Sequence, residues 1–199
     1  RERCYYPFDQ ELQLIASVRN GQYTEVSRLI YEIRRYNRES APDALALLDQ
    51  AMLSTALKLA EEFTPEQKAL LESSVHAVTK DCHVDGGNDM AFAELLNLYR
   101  QLCGFMSSNI HNMNLSIIDN VCDYLNEHYT DPNLCLDIVA EHFTVSYYFL
   151  SHIFKSETNK SFSDMLNDTR IYHAMELLKA TSLPVQTIAK QVGYTNWST

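Results

Sequence analysis

Five side chains between positions 147 and 155 offer chemistry on one surface of this 199-residue chain: Tyr147, Tyr148, Ser151, His152 and Lys155. Their spacing places them on one side of a helix whose other side holds Leu150, Ile153 and Phe154. Together they supply ring faces, hydroxyls, an imidazole and an ammonium. Those groups suit thymine methyls, base-edge donors and acceptors, guanine N7 and phosphate oxygens. Tyr148 suits a thymine methyl, Ser151 a base edge, His152 a guanine N7 and Lys155 a phosphate. Ser146 stands just before them as a helix cap, and Lys160 and Ser161 follow at the start of the next helix. Free backbone N–H groups at such a start donate to a phosphate.

The other polar groups point to no reaction. Cys82, His83, Asp85 and Asp89 fit no zinc spacing. His111 and His128 have no acid or nucleophile at a motif distance, and Glu61, Glu62 and Glu66 read as a solvated acidic patch. Arg34, Arg35 and Arg38 read as the positive last turn of a helix. Arg170 is expected to make a structural ion pair with a nearby acid. There is no Gly-rich phosphate loop and no G-x-S-x-G elbow. No enzyme, metal or cofactor is therefore expected, and no small-molecule site is assigned.

The elements that hold the five residues are legible in LDIVAEHFTVSYYFLSHIFK, residues 136–155. Two short helices packed steeply need a small residue where their backbones approach, here Ala140, and apolar residues around a tight turn. Val139, Phe143, Val145, Leu150 and Ile153 fill those places, with the turn at Thr144-Val145-Ser146. This is a helix-turn-helix pattern, whose second helix enters a DNA major groove. It partly recurs in PVQTIAKQVGYTN, where Ala189 is the small residue, Ile188 and Val192 flank it and Gly193 makes the turn. A long helix between the two units carries Phe162, Met165, Leu166, Ile171, Met175 and Leu178 as an expected buried stripe. Such a pair would address major-groove faces about one turn, roughly 34 Å, apart.

The remaining chain also reads as helices, with no alternating run long enough for a sheet. Asp9 is expected to cap a first helix with Leu12, Ile15 and Val18 on its inner face and Gly21 as its stop. Val26, Leu29, Ile30 and Ile33 mark a second helix from Thr24; Leu45, Leu48, Met52 and Leu59 mark a third from Ser40 and Pro42. Thr64-Pro65-Glu66-Gln67 is a capping box before Leu70, Leu71, Val75 and Val78. A break at Asp85-Gly86-Gly87 precedes a helix capped by Asn88 and carrying Phe92, Leu95, Leu96, Tyr99, Leu102 and Met106. The polar stretch Ser107–Asn114 reads as a domain boundary, with a new helix from about Ser116. Two domains follow, 1–112 and 113–199.

Composition narrows the class. At 46% hydrophobic and 21% charged, with five Gly and five Pro, this is an ordinary globular composition. No apolar run approaches the roughly 20 residues of a membrane span. Five cysteines without a C-x-x-C pair read as reduced thiols. The net charge of −10 repels phosphate on average, so DNA binding must rest on a local surface. Residues 116–199 hold five Lys or Arg against ten Asp or Glu. The chain opens on Arg1, which reads as a processed chain or an excised piece.

From about Ser116 onward the sequence resembles the DNA-binding domain of the AraC/XylS family of bacterial transcription regulators. The matching stretches are Leu134–Ala140, Val145–Lys155, Ser161-Phe162, Arg170-Ile171 with Ala174 and Leu177-Leu178, and Ile188–Tyr194. The resemblance implies two helix-turn-helix units joined by a long helix, double-stranded promoter DNA as ligand and RNA polymerase as partner. It also implies that Tyr148, Ser151 and His152 occupy base-reading positions. His152 stands where the family often has Arg, Cys135 where Ser or Thr caps, and Asn159 where Gly ends the recognition helix. The chain stops before the family's second recognition helix. The segment Tyr5-Tyr6-Pro7-Phe8 with Glu11-Leu12 and Leu14-Ile15 resembles a helical part of large membrane-tethered members. The sequence therefore predicts an all-α protein: a helical signal-transmission or dimerisation module, then an AraC-type double helix-turn-helix with its second unit incomplete. Its first recognition helix, 146–156, reads the major groove. The location is cytoplasmic, within a parent protein anchored to a membrane, and apolar stripes in excess of one core predict helix faces covered by a partner chain, as in a homodimer, or by missing sequence. The alternative is a protein-interaction module with a purely architectural helix-turn-helix.

Overall fold

The computed structural model describes residues 4–81 and 88–195. Among them are nine α-helices and no strand: α1 Phe8–Arg19, α2 Tyr23–Tyr36, α3 Pro42–Ala60, α4 Pro65–Asp81, α5 Asn88–His128, α6 Leu136–His142, α7 Tyr147–Thr158, α8 Phe162–Ala180 and α9 Val185–Gln191. The all-α expectation holds. None of these helices is long and apolar enough to cross a membrane. The expected break at Asp85–Gly87 and the Cys82-His83 pair lie outside the described residues. The chain divides into two compact units, Arg1–Ile110 and His111–Thr199.

In the first unit the periodic residues of α2, Val26, Leu29, Ile30 and Ile33, are all buried with Leu48, Met52, Leu59, Leu95, Tyr99 and Leu102. Each such side chain contributes about 1.5–3 kcal/mol by leaving water. The α4 capping box forms as read: Thr64 Oγ1 accepts from the Gln67 backbone N–H at 3.3 Å, and Gln67 Oε1 accepts from that of Thr64 at 3.2 Å. Arg34, in the basic last turn of α2 as expected, is half-buried, reaches Asp49 at 3.1 Å and lies over the Phe92 ring. Burial pushes the Asp49 carboxyl up to about 6, against the opposing pull of Arg34.

Three local expectations for this unit need correction. The cap of α1 is Pro7, not Asp9. Buried Asn37 binds both the backbone N–H and the carbonyl of Tyr5, at 2.6 and 2.8 Å, and the backbone at Pro7 remains extended. With the start moved, Leu14 and Val18 become the buried line, while Leu12 is exposed; Leu70 of α4 is exposed too. The stretch Ser107–Asn114 is an uninterrupted part of α5, so no new helix starts near Ser116, although the division between the two units falls inside it, at Ile110 and His111. Its polar side chains are mostly solvated, and Ser108 returns its hydroxyl to the Gly104 carbonyl at 3.0 Å, so nothing there opposes helix.

In the second unit Ile118, Val121, Leu125, Leu134, Val139, Ala140, Leu150, Ile153, Phe154, Phe162 and Leu166 form one core. Phe143, Val145 and Met165 pack on its rim. The expected α8 stripe is only half buried: Phe162 and Leu166 are inside, but Ile171, Met175 and Leu178 are 51%, 52% and 49% exposed. The start of α8 meets α7 through Phe162 against Phe154, with ring centroids 5.7 Å apart. Among the described residues no side chain is packed over the later part of that stripe deeply enough to bury it.

The weak repeat is real at the level of the backbone. In α6 the bonds Phe143 N–H to Val139 O, Thr144 N–H to Glu141 O and Val145 N–H to Ala140 O close the turn. In α9 the bonds Val192 to Ile188, Gly193 to Lys190 and Tyr194 to Ala189 close it the same way, 49 residues on.

Candidate nucleic-acid interface

The outward face of α7 is set by its inner one. Leu150, Ile153 and Phe154 are buried, and this fixes the rotation of the helix on the core. Ser146 caps it in extended backbone, its hydroxyl accepting from the Phe149 N–H at 3.2 Å. The far end closes on Asn159 at φ 58°, which Asn tolerates. Cys135, at the cap of α6, makes no side-chain cap bond.

Given that rotation, Tyr148 stands 84% exposed and Tyr147 43% exposed. Their rings meet edge to face at 5.7 Å. His152 and Lys155 are exposed and Ser151 is half-buried. Tyr148, Ser151, His152, Lys155 and Ser156 together line a shallow recess of about 460 Å³. Ser156 was not singled out from the sequence, although it lies one turn beyond His152 on the same face. The first turn of α7 holds no acidic residue, so the positive end of the helix is left uncompensated.

Lys160 and Ser161 stand apart from this group and are already engaged. Lys160 Nζ pairs with Asp168 at 2.7 Å, which holds the ammonium above its ordinary range. Ser161 caps α8 in a reciprocal box with Asp164, whose carboxyl is held low by the Ser161 hydroxyl and backbone N–H. The Asp164 carboxylate thus occupies the helix start that a phosphate was expected to use. Among the described residues no carboxylate stands within salt-bridge distance of Arg170, although the charge of Asp131 acts on it from further off. It donates from Nε to the Tyr129 carbonyl at 2.8 Å and from Nη2 to the Asp131 carbonyl at 2.7 Å. Among the described residues no group of three or more His, Cys, Asp or Glu side chains could hold a metal.

Residues 139–199 match the family model described as "Helix-turn-helix domain". The chain is 30% identical over 115 residues to the arabinose operon regulatory protein of Salmonella typhimurium, covering 55% of this chain and 41% of that protein. It is 29% identical over 83 residues to regulatory protein SoxS of Escherichia coli, covering 42% of this chain and 77% of SoxS. The solved C-terminal domain of AraT, a response regulator from Geobacillus stearothermophilus, is 38% identical, with 39% of this chain and 64% of that one covered and a TM-score of 0.39. The chain thus spans about two fifths of the arabinose regulator, at the 41% just given. Residues 139–199 are an AraC-type helix-turn-helix domain.

Proposed function

We propose that this chain is the DNA-reading part of a sequence-specific, AraC-type transcription regulator, with α7 seated in the major groove of its promoter. The observation that carries this reading is the pinned rotation of α7, which turns Tyr148, Ser151, His152 and Lys155 outward together. Tyr148 meets a thymine methyl, Ser151 and His152 meet base edges, and Lys155 meets phosphate. Ser146 and Tyr147 lie at the end of α7 whose dipole attracts the backbone. Lys160 and Ser161 contribute a phosphate contact once Asp168 and Asp164 release them. The first unit transmits a signal or dimerises the regulator, and RNA polymerase is the partner on the promoter. The chain acts in the cytoplasm, within a parent protein anchored to a membrane, and not as an enzyme.

Fluorescence anisotropy with duplexes selected from random DNA tests the reading. Tyr148→Ala and His152→Ala are each expected to lose roughly tenfold in affinity for the selected site, with little change on unrelated DNA. Lys155→Ala is expected to weaken binding to all sequences and to reduce the salt slope by about 1. Equal affinity of wild type and both base-reading variants would remove α7 from the interface.

A further inference from the structure

Arg170 sits in the middle of α8, 7% exposed, and touches two separate parts of the second unit. Its fork donates to the carbonyls of Tyr129 and Asp131, in the turn between α5 and α6, at 2.8 and 2.7 Å. Its guanidinium carbon lies 5.4 Å from the centre of the Tyr194 ring, just past α9. One turn further along α8, His173 lays its ring flat on Tyr129 at 4.2 Å. Gly193 closes the arrangement, because a Cβ there would stand 2.6 Å from the Tyr129 carbonyl oxygen and 2.9 Å from Arg170 Nε. A buried guanidinium with no carboxylate bonded to it among the described residues needs fixed acceptors, and those acceptors come from the entry to α6. The ring stacked on it comes from the exit of α9.

We infer that Arg170 is a positioning residue for DNA reading: it clamps the turn of the second helix-turn-helix onto the entry of the first, and so sets the separation at which the two motifs meet DNA. This rests on the proposed DNA-reading function. A lysine at 170 keeps the charge but reaches only one carbonyl at a time and cannot stack as a plane. The loss then falls on simultaneous engagement of two half-sites, not on the α7 surface itself.

The test uses the intact protein and duplexes selected from random DNA, carrying either both half-sites at varied separation or the α7 half-site alone. Arg170→Lys is expected to lower affinity for the two-site duplex by about tenfold and to accept separations the wild type rejects. Affinity for the single half-site is expected to stay within about twofold. Equal losses on both duplexes, or an unchanged separation preference, would show that Arg170 only supports the fold and overturn the inference. Tyr194→Leu removes the ring but leaves both carbonyl bonds, and is expected to shift the separation preference in the same direction by a smaller amount. It carries the comparison if circular dichroism shows Arg170→Lys unfolded. Wild-type protein that ignores every duplex would overturn the DNA-reading function and this inference with it; wild-type binding with an unaltered Arg170→Lys profile overturns the inference alone.

Discussion

At corresponding points of the two helix-turn-helix motifs the chain carries Thr144 and Gly193, both left-handed, at φ 56° and 97°. The backbone bonds around them repeat pairwise, and α6 and α9 are each seven residues long. The surroundings differ. Thr144 is exposed, so a β-branched residue accepts the strain, roughly 1–2 kcal/mol, without a clash. Gly193 is buried under the Tyr129 carbonyl and the Arg170 fork, where a Cβ has no room. The same turn therefore imposes a residue only where another element closes on it. Ala140 and Ala189 tell a similar story: the first is buried in the core and the second is half-exposed.

The comparison can be broken most directly at Gly193. Gly193→Ala is expected to cost about 3 kcal/mol in urea unfolding of the full chain, from clash and left-handed strain together. A loss under about 1 kcal/mol would mean that Tyr129 and Arg170 yield easily and that the second turn is as open as the first. Next comes Ala140→Leu, expected to cost about 2–3 kcal/mol by overpacking, with Ala189→Leu costing less than half of that. Equal losses at the two alanines would erase the distinction between a closed and an open helix contact.

Smaller effects sharpen the contrast at the caps. Ser146→Ala removes a formed cap bond and is expected to cost about 1 kcal/mol of stability. Cys135→Ser, at the uncapped start of α6, is expected to gain roughly 0.5–1 kcal/mol. The smallest and most telling change is Thr144→Gly, expected to stabilise by about 0.5 kcal/mol as released strain outweighs added chain entropy. Opposite signs for Thr144→Gly and Gly193→Ala in thermal unfolding are the signature of two like turns in unlike settings. A destabilisation at Thr144 would show that its side chain holds something the fold needs.

Legibility followed the range of the forces involved. The cap at Ser146, the box at Thr64 and Gln67, and the left-handed stop at Asn159 all depend on neighbours within a few residues, and each was readable. The buried row Leu150, Ile153 and Phe154 was readable because helical spacing permits one inner face, and the outward placement of Tyr148 and His152 came with it. Spacing alone misled along α8, where a stripe at the right period found packing only at Phe162 and Leu166. It misled again at Ser107–Asn114, because polar composition describes solvation and not whether backbone bonds continue.

The sequence by itself determined the all-helical class, the caps at Ser146 and Thr64 and the inner faces of the first motif, since these follow from propensity, periodicity and bonds between residues close along the chain. Only the tertiary structure decided what Arg170 does. Its acceptors lie 41 and 39 residues away and are main-chain carbonyls, which every residue type carries and which leave no mark in the sequence. The same holds for the pairing of Lys160 with Asp168 and for the pressure on Gly193: charge and close approach act through space, and the fold chooses the neighbours.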